Sequence, residues 1–215
     1  MSSQEISPDV DLDTLNALPA TTFAAQVHPL LSSLAARIFA LPARSPVRPY
    51  PEVVAITARA TEPQTVAAIA AVLTPPYADR TAHNIAWLAF DEILENLPLL
   101  TLERYRETLS RLSTLEPPAN TVAGTNSDTG HCWVAASATA LLHFMDDPTA
   151  VWVPKSKSDS LAIRSLSERV TTSAEMQPHI PGLLEWLGDA NWPPYTSCRQ
   201  QLARFPEVAV GPARR

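Results

Sequence analysis

The sequence predicts an all-α protein, and three observations support this. Prolines open several amphipathic segments, apolar residues recur at helical spacing within them, and the alternating pattern of β-strands is almost absent. The chain has 21 prolines and only 5 glycines, and a proline in the first turn of a helix costs no hydrogen bond. We expect either an irregular HEAT-like stack of helical hairpins or a compact helical bundle.

Proline marks the start of the first three predicted helices. Pro29, Pro51 and Pro63 each precede an apolar-rich run, and proline presets the backbone angle of a first helical turn. After Pro29, leucine or isoleucine recurs every three or four residues from Leu30 to Leu41, which is the spacing of one helix face. We therefore expect a helix to begin at each of these prolines.

Six further helices complete the predicted order. They cover 80–97, 101–114, 131–146, 159–170, 175–188 and 194–205. Asp79, Thr101 and Asp159 are predicted N-caps, because short polar side chains accept hydrogen bonds from the free amides of a first turn. The one candidate strand, 151–153, is too short to alter the fold class.

The longest predicted loop divides the chain into two helical halves. Residues 1–114 form the first half, 115–130 a linker or a lid, and 131–215 the second half. The loop is rich in proline, threonine, asparagine and serine, and it exceeds the ~2–8 residues usual between packed helices. Apolar helices on both sides of the loop favour halves that pack together as one compact unit.

Composition excludes several classes of protein. Charged residues make up 18% of the chain, the net charge is −6 and there is no basic run, so we expect no binding to nucleic acid. No apolar stretch reaches the ~20 residues of a membrane span. The polar, acidic first residues do not resemble a signal peptide. Two cysteines, Cys132 and Cys198, in helix-like segments favour a reduced, cytoplasmic chain.

The stretch LLEWLGDANWPP, residues 183–194, contains two of the five tryptophans. Helical spacing puts Trp186 beyond the edge of an apolar stripe, so we expect a half-buried ring. Gly188 is expected to end the helix in the left-handed conformation, and Asn191 to cap the next helix. Trp192 is expected to fill the space between the two helices.

Two motifs in the last part of the chain carry a resemblance. VPKSKSD at 153–159 and IPGLLEWLGDANWPP at 180–194 resemble a domain family of unknown function found in bacteria and fungi. In that family a P-K-x-K-x-D run precedes L-L-E-W-L-x-D-x-N-W-P. The resemblance covers about the last 60 residues and implies a small helical-hairpin unit of HEAT-like character. It implies no activity and no catalytic residues.

A second resemblance concerns a cysteine. GHCWVAASATALL, residues 130–142, looks like the active-site helix of papain-like proteases and transglutaminases, in which G-x-C-W begins a helix. A thiol at Cys132 would then be a nucleophile, and the positive end of the helix dipole would favour its thiolate. Such a nucleophile needs an oriented base, for which His179 with Asp189 is the candidate pair. The alternative is a small buried cysteine in a helix of alanine and serine.

Residue spacing argues against a metal or a cofactor. No two of the five histidines are three or four residues apart, and there is neither a C-x-x-C pair nor a glycine-rich phosphate loop. We therefore expect no metal and no cofactor. Lys155 and Lys157 could hold an anion at a helix start, but a cap at Asp159 with solvated lysines is the simpler interpretation.

The sequence favours a binding module of helical-hairpin type that holds a protein partner or an apolar small molecule between its two halves. The candidate binding residues are aromatic: Trp87, Trp133, Trp152, Trp186 and Tyr195. One alternative is a cofactor-independent enzyme that acts on an apolar metabolite, of cyclase or isomerase type. The other is a thiol-dependent hydrolase or transferase that uses Cys132. The sequence leaves open whether the chain catalyses any reaction.

Overall fold

The structure is a computed structural model that describes residues 12–40, 50–115, 129–156 and 159–209, with the side chains of Ala40 and of residues 129–132 left out. In these ranges every regular element is helical and there is no β-strand. The fold class is therefore all-α, as the sequence predicts. The HEAT-like arrangement stays a prediction. None of the described helices is both long and apolar enough to cross a membrane.

The described ranges contain a series of α-helices. They are α1 (Leu12–Asn16), α2 (Ala20–Ala40), α3 (Pro51–Ala58), α4 (Pro63–Leu73), α5 (Arg80–Leu88), α6 (Leu99–Leu102), α7 (Arg106–Ser113), α8 (Thr129–Asp146), α9 (Ser160–Arg169), α10 (Ser173–Met176), α11 (Ile180–Glu185), α12 (Pro194–Ala203) and α13 (Pro206–Ala209). A π-turn, Ala89–Ile93, and 3₁₀ turns at Leu94–Asn96, Glu103–Tyr105, Gln177–His179 and Trp186–Gly188 extend several of them.

Proline opens two of the three helices for which it was expected to do so. Pro51 and Pro63 are the first residues of α3 and α4, which confirms the prediction there. The prediction is wrong for Pro29, which lies inside α2. The helix begins earlier because Phe23 and Val27, both fully buried, extend its apolar face toward the N-terminus. This gain offsets the backbone hydrogen bond that a proline inside a helix cannot donate.

Two of the three predicted N-caps are present. Asp79 accepts a hydrogen bond from the Ala82 amide at the start of α5, and Asp159 accepts one from the Ala162 amide at the start of α9. The prediction is wrong for Thr101, which lies inside α6. That helix begins after Pro98, whose carbonyl accepts a hydrogen bond from the Thr101 amide at 2.9 Å.

The chain forms two compact units, Met1–Leu142 and His143–Arg215, with the boundary inside α8. In the first unit α2 packs along α4 and α5. The largest fully buried side chains of this unit include Phe23, Leu31, Ile69, Phe90 and Tyr105. The loop at 115–130, where the sequence analysis divides the chain, lies mostly outside the described residues, so that division stays a prediction.

The second unit has its own core of buried aliphatic side chains with one cysteine and one phenylalanine. Its members are Leu166, Val170, Met176, Ile180, Leu183, Cys198, Leu202 and Phe205. Arginines satisfy the helix ends around this core. Arg169 donates to the carbonyl of Phe144 in the last turn of α8 and to those of Asp147 and Ala150 just after it. Arg204 donates to the carbonyls of Leu166 and Val170 at the end of α9.

Candidate binding site

A carboxylate closes the loop that precedes α9. Asp159 Oδ1 accepts hydrogen bonds from the Ala162 amide at 3.2 Å and from the Trp152 indole at 3.4 Å. Its Oδ2 accepts one from the Lys155 amide at 3.1 Å. Asp159 thus occupies the amide end of α9 and fixes the loop at the same time, while the Lys155 side chain is exposed. The position at which an anion could bind is already filled by a side chain of the protein.

The second motif packs directly on the first. The Trp186 indole donates a hydrogen bond to the Pro154 carbonyl at 2.9 Å, and Pro154 is buried. Val153 lies so close to Gly182 that a Cβ atom added to the glycine would stand 2.8 Å from Val153 Cγ2. The described parts of the two sequence motifs therefore form one structural element, in which residues 153–154 pack against α11 and the turn that follows it.

The turn between α11 and α12 is held by Asp189. Its Oδ1 accepts hydrogen bonds from the Asn191 amide at 2.9 Å and from the Asn191 side chain at 3.1 Å. The expected cap at Asn191 is therefore wrong, because Pro193 takes that position. The prediction of a left-handed conformation at Gly188 is also wrong, because Gly188 ends a 3₁₀ turn and its φ is not in the left-handed region. The chain leaves that turn extended at Asp189.

The two tryptophans of this turn touch each other. Trp186 and Trp192 meet edge to face, with ring centroids 5.4 Å apart and an interplanar angle of 73°. Both rings are half-buried, and Trp186 packs against the core of the second unit. The half-buried Trp186 confirms what its helical spacing predicts. Trp192 rests on Trp186 at the surface and is not fully enclosed.

Trp152 belongs to a second aromatic group in the same unit. It stacks on the exposed ring of His143 at 6.2 Å and meets Phe144 edge-on at 6.3 Å. The Arg169 guanidinium lies 3.9 Å above the Phe144 ring. Tyr195, near the start of α12, is half-buried, with the Arg199 guanidinium 6.0 Å from its ring. Four of the unit's aromatic side chains (Trp152, Trp186, Trp192 and Tyr195) are thus half-exposed.

The remaining two binding candidates lie in the first unit. Trp133 donates a hydrogen bond from its indole to His83 Nδ1 at 3.3 Å, and its ring also meets Phe90 at 5.7 Å. Trp87 meets Phe39 edge-on at 6.0 Å, and Phe39 is 47% exposed. The structure therefore places the five predicted aromatic residues in two sets, two in the first unit and three in the second.

Of the candidate catalytic residues, the described His179 and Asp189 are not joined to each other. Cys132 is the fourth residue of α8, and its side chain lies outside the described part of the chain. His179 is half-buried, and burial lowers the pKa of its imidazole. Asp189 uses its oxygen to hold the turn, and no hydrogen bond or ion pair links it to His179. Burial raises the pKa of the Cys198 thiol to about 11, so this second cysteine is an unreactive core residue.

No cluster of three or more His, Cys, Asp or Glu side chains that could hold a metal ion occurs among the residues described. Charge is distributed unevenly between the two units. By count, residues 143–215 have eight Lys and Arg against eight Asp and Glu, so the net charge of −6 belongs to the first unit. Counted over its sequence, the second unit therefore has no net charge.

Sequence reasoning missed His83 and Val153. His83 and Trp133 are 50 residues apart, and no local sequence pattern predicts a contact between residues so distant in the chain. For Val153 a signal existed: Gly182 lies inside the helix predicted over 175–188, where glycine is unfavourable and can mark a close approach of another group to the backbone.

Comparison with known proteins bears on the second unit alone. No curated protein and no solved structure matches the chain. Residues 152–215 match the family model described as "Domain of unknown function (DUF5071)". The matched segment contains both motifs, the loop closed by Asp159 and the Trp186–Trp192 turn. This part of the chain is thus similar to an uncharacterised domain family, as the two motifs indicate.

Proposed function

We propose that residues 143–215 form a recognition module that binds a protein partner through the half-exposed rings of Trp152, Trp186 and Trp192. One observation carries this proposal. The indole N–H groups of Trp152 and Trp186 are bonded inside the protein, to Asp159 and to the Pro154 carbonyl, yet the rings are not drawn fully into the core. Each ring is held in place while part of its surface remains available.

Rings held in this way are well suited to recognition. Tryptophan, tyrosine and arginine are enriched among the residues that dominate binding energy at protein interfaces. A side chain that is already fixed loses little conformational entropy on binding. Because their indole N–H groups are satisfied internally, Trp152 and Trp186 can be covered by a partner without leaving a buried donor unpaired.

The charge balance of the module indicates the chemistry of the partner. With eight positive and eight negative side chains in residues 143–215, long-range attraction contributes little, so recognition rests on apolar and aromatic contacts. We expect an affinity that changes little between low and high salt. Half-exposed rings on a helical surface favour a protein over an apolar small molecule, since small ligands are mostly held in concave sites that bury most of their surface.

The experiment places a photo-crosslinking amino acid at Tyr195 in the full chain, in cells that naturally produce it. The matched control carries the same amino acid at Leu100, which is 85% exposed and lies in the first unit. We expect one protein to be captured from position 195 and not from position 100. Capture of a small molecule at position 195 would show that the site binds an apolar ligand instead of a protein. Equal capture of proteins at positions 195 and 100 would overturn the proposal.

A quantitative measurement then follows with the captured protein. Trp192→Ala is expected to weaken its binding roughly 30-fold, the equivalent of ~2 kcal/mol for an interface hot spot. Trp87→Ala, in the first unit, is the control and leaves the affinity unchanged. Circular dichroism establishes that both variants are folded, and Tyr195→Ala provides a second variant of the surface. An unchanged affinity in both surface variants would show that the captured protein binds elsewhere.

A further inference from the structure

We propose that the contact between His83 and Trp133 is a pH-sensitive latch that joins α5 to α8 in the first unit and opens when the imidazole is protonated. The latch consists of one hydrogen bond, from the Trp133 indole N–H to His83 Nδ1 at 3.3 Å. Around it the two rings meet at 5.3 Å with an interplanar angle of 68°.

The chemistry of the donor fixes the protonation state of the histidine. An indole N–H can only donate, so Nδ1 of His83 must accept and therefore carries no proton. The imidazole that closes the latch is neutral, with its proton on Nε2. Protonation gives both ring nitrogens a hydrogen and leaves two donors, Nδ1–H and the Trp133 N–H, facing each other. The hydrogen bond is then lost and the contact becomes repulsive.

The charged neighbours of His83 favour the neutral ring. Burial of the ring lowers the pKa of His83, and the charge of Arg80, one turn earlier on α5, lowers it further. Asp79, before α5, is the helix cap. The described side chains of α8 carry no charge from Trp133 to Leu142. An imidazolium at this position thus meets no counter-charge from residues 133–142 of α8.

The other elements packed against α5 do not change this picture. Tyr77, whose ring meets His83 edge-on at 6.1 Å, stays neutral because burial raises the pKa of its phenol. Helix α4 has no charged side chain. On α2, Arg37 pairs with Glu52, and the other titratable group is His28. Asp91 and Glu92 lie two turns further along, in the π-turn. Among all these groups Arg80 is the one whose charge acts on His83.

The direction of the pH effect follows from these facts. The pKa of His83 in the folded protein lies below the 6.5 of an unperturbed histidine. When the pH falls below about 6.5, the unfolded chain takes up the proton first. The closed latch therefore contributes its full stability above that pH and loses it as the solution becomes more acidic. The device holds α8 against α5 at neutral pH and loosens this contact in mild acid.

The test follows the Trp133 indole proton by NMR in the full chain with ¹⁵N-labelled tryptophan. Trp133→Phe assigns its resonance among the five indoles. Between pH 7.5 and pH 5 we expect the Trp133 resonance to shift and its solvent exchange to increase, with a midpoint below 6.5. His83→Asn keeps an acceptor near the position of Nδ1 but cannot titrate, so the same resonance should become independent of pH. A Trp133 resonance that is constant in the wild type, or that still titrates in H83N, overturns the proposal.

A control variant and a second measurement keep the test decisive. His179 is another half-buried histidine whose pKa is lowered by burial, but it lies in the second unit, so His179→Asn should leave the Trp133 transition intact. If H83N fails to fold, the imidazole Cε1–H of His83 is titrated in the wild type and in W133F. The midpoint should rise in W133F, because the hydrogen bond that favours the neutral ring is gone; an unchanged midpoint contradicts the latch.

Discussion

Val153 lies against Gly182 so closely that the glycine has no room for a Cβ atom, which would stand 2.8 Å from Val153 Cγ2. At this contact the two motifs of the second unit meet at the Hα atom of Gly182 that takes the place of the Cβ atom of any other residue. The contact explains why residue 182 is a glycine, although its backbone is not left-handed. It also means that the spacing of the two motifs is set by their packing against each other.

Gly182→Ala should therefore lower the free energy of unfolding by about 1–3 kcal/mol, the usual cost of forcing an extra methyl group into a packed contact. Gly188→Ala is the matched control, because a Cβ atom there meets nothing within 4 Å. It should be neutral or stabilise by up to ~1 kcal/mol by restricting the unfolded chain. Urea denaturation of both variants measures the difference, and equal midpoints would mean that Val153 moves aside freely.

Trp186→Phe should destabilise by about 1–2 kcal/mol. The phenyl ring retains much of the packing, but the buried carbonyl of Pro154 loses its hydrogen bond from the indole. Trp87→Phe, where a phenylalanine can preserve the edge contact with Phe39, should cost less. Thermal unfolding of the two variants compares them directly. A larger loss from the Trp87 variant would contradict the role assigned to the indole N–H of Trp186.

Arg169→Lys should destabilise by about 2–4 kcal/mol, although it keeps the charge. The guanidinium of Arg169 serves three carbonyls and stacks on Phe144, and an ammonium group can reproduce neither the planar fork nor the stacking. Arg199→Lys changes an exposed arginine 6.0 Å from Tyr195 and should be neutral within about 0.5 kcal/mol. Chemical denaturation with both variants decides whether geometry or charge matters at Arg169.

The two cysteines should differ in their reaction with iodoacetamide. Cys198 is buried and the pKa of its thiol is raised to about 11, so at pH 7.5 it should remain unmodified until urea unfolds the chain. Cys132→Ser isolates this thiol, and Cys198→Ser isolates the other. A nucleophilic Cys132 would be labelled rapidly in the folded protein, with a rate that titrates well below the ~8.5 of a free thiol. Slow labelling of Cys132 would show that this residue is not an activated nucleophile.

The stability of the chain should fall between neutral and mildly acidic pH. Burial lowers the pKa values of His83 and His179 in the folded state, so below about 6.5 the unfolded chain binds more protons than the folded one. Unfolding midpoints in urea should therefore decrease from pH 7.5 to pH 5. The double variant His83→Asn, His179→Asn should show a shallower dependence. A midpoint that rises on acidification would reverse the assignment for both histidines.

The sequence predicts those features that depend on neighbours in the chain. Pro51, Pro63, Asp79 and Asp159 act within one helical turn, so their roles follow from local rules. Pro29 misleads because two buried residues upstream of it, placed by packing, extend the helix past the local signal. At Asn191 and Gly188 the features expected from local rules, an N-cap and a left-handed glycine, are absent. The hydrogen bonds that Asp189 accepts from Asn191 hold the turn instead.

The candidate site is predictable in composition but not in arrangement. The sequence shows which aromatic side chains are available for a binding surface, and their role in binding stays a prediction. Which of them meet is decided by contacts distant in the chain, such as Trp186 with Pro154, 32 residues apart, and Trp133 with His83, 50 residues apart. No helical or strand period spans such distances, so these pairs emerge only from the folded chain.

The arginine bonds at the end of α8 have a consequence for where an autonomous folding module begins. All three carbonyls that Arg169 serves belong to residues before 152, whereas the family match starts at 152. A fragment cut at that border would keep the cation but lose every acceptor, and Trp152 would lose both His143 and Phe144. The segment recognised by sequence similarity is therefore shorter than the segment that satisfies its own polar groups, and a transplantable version needs the last turn of α8 as its first element.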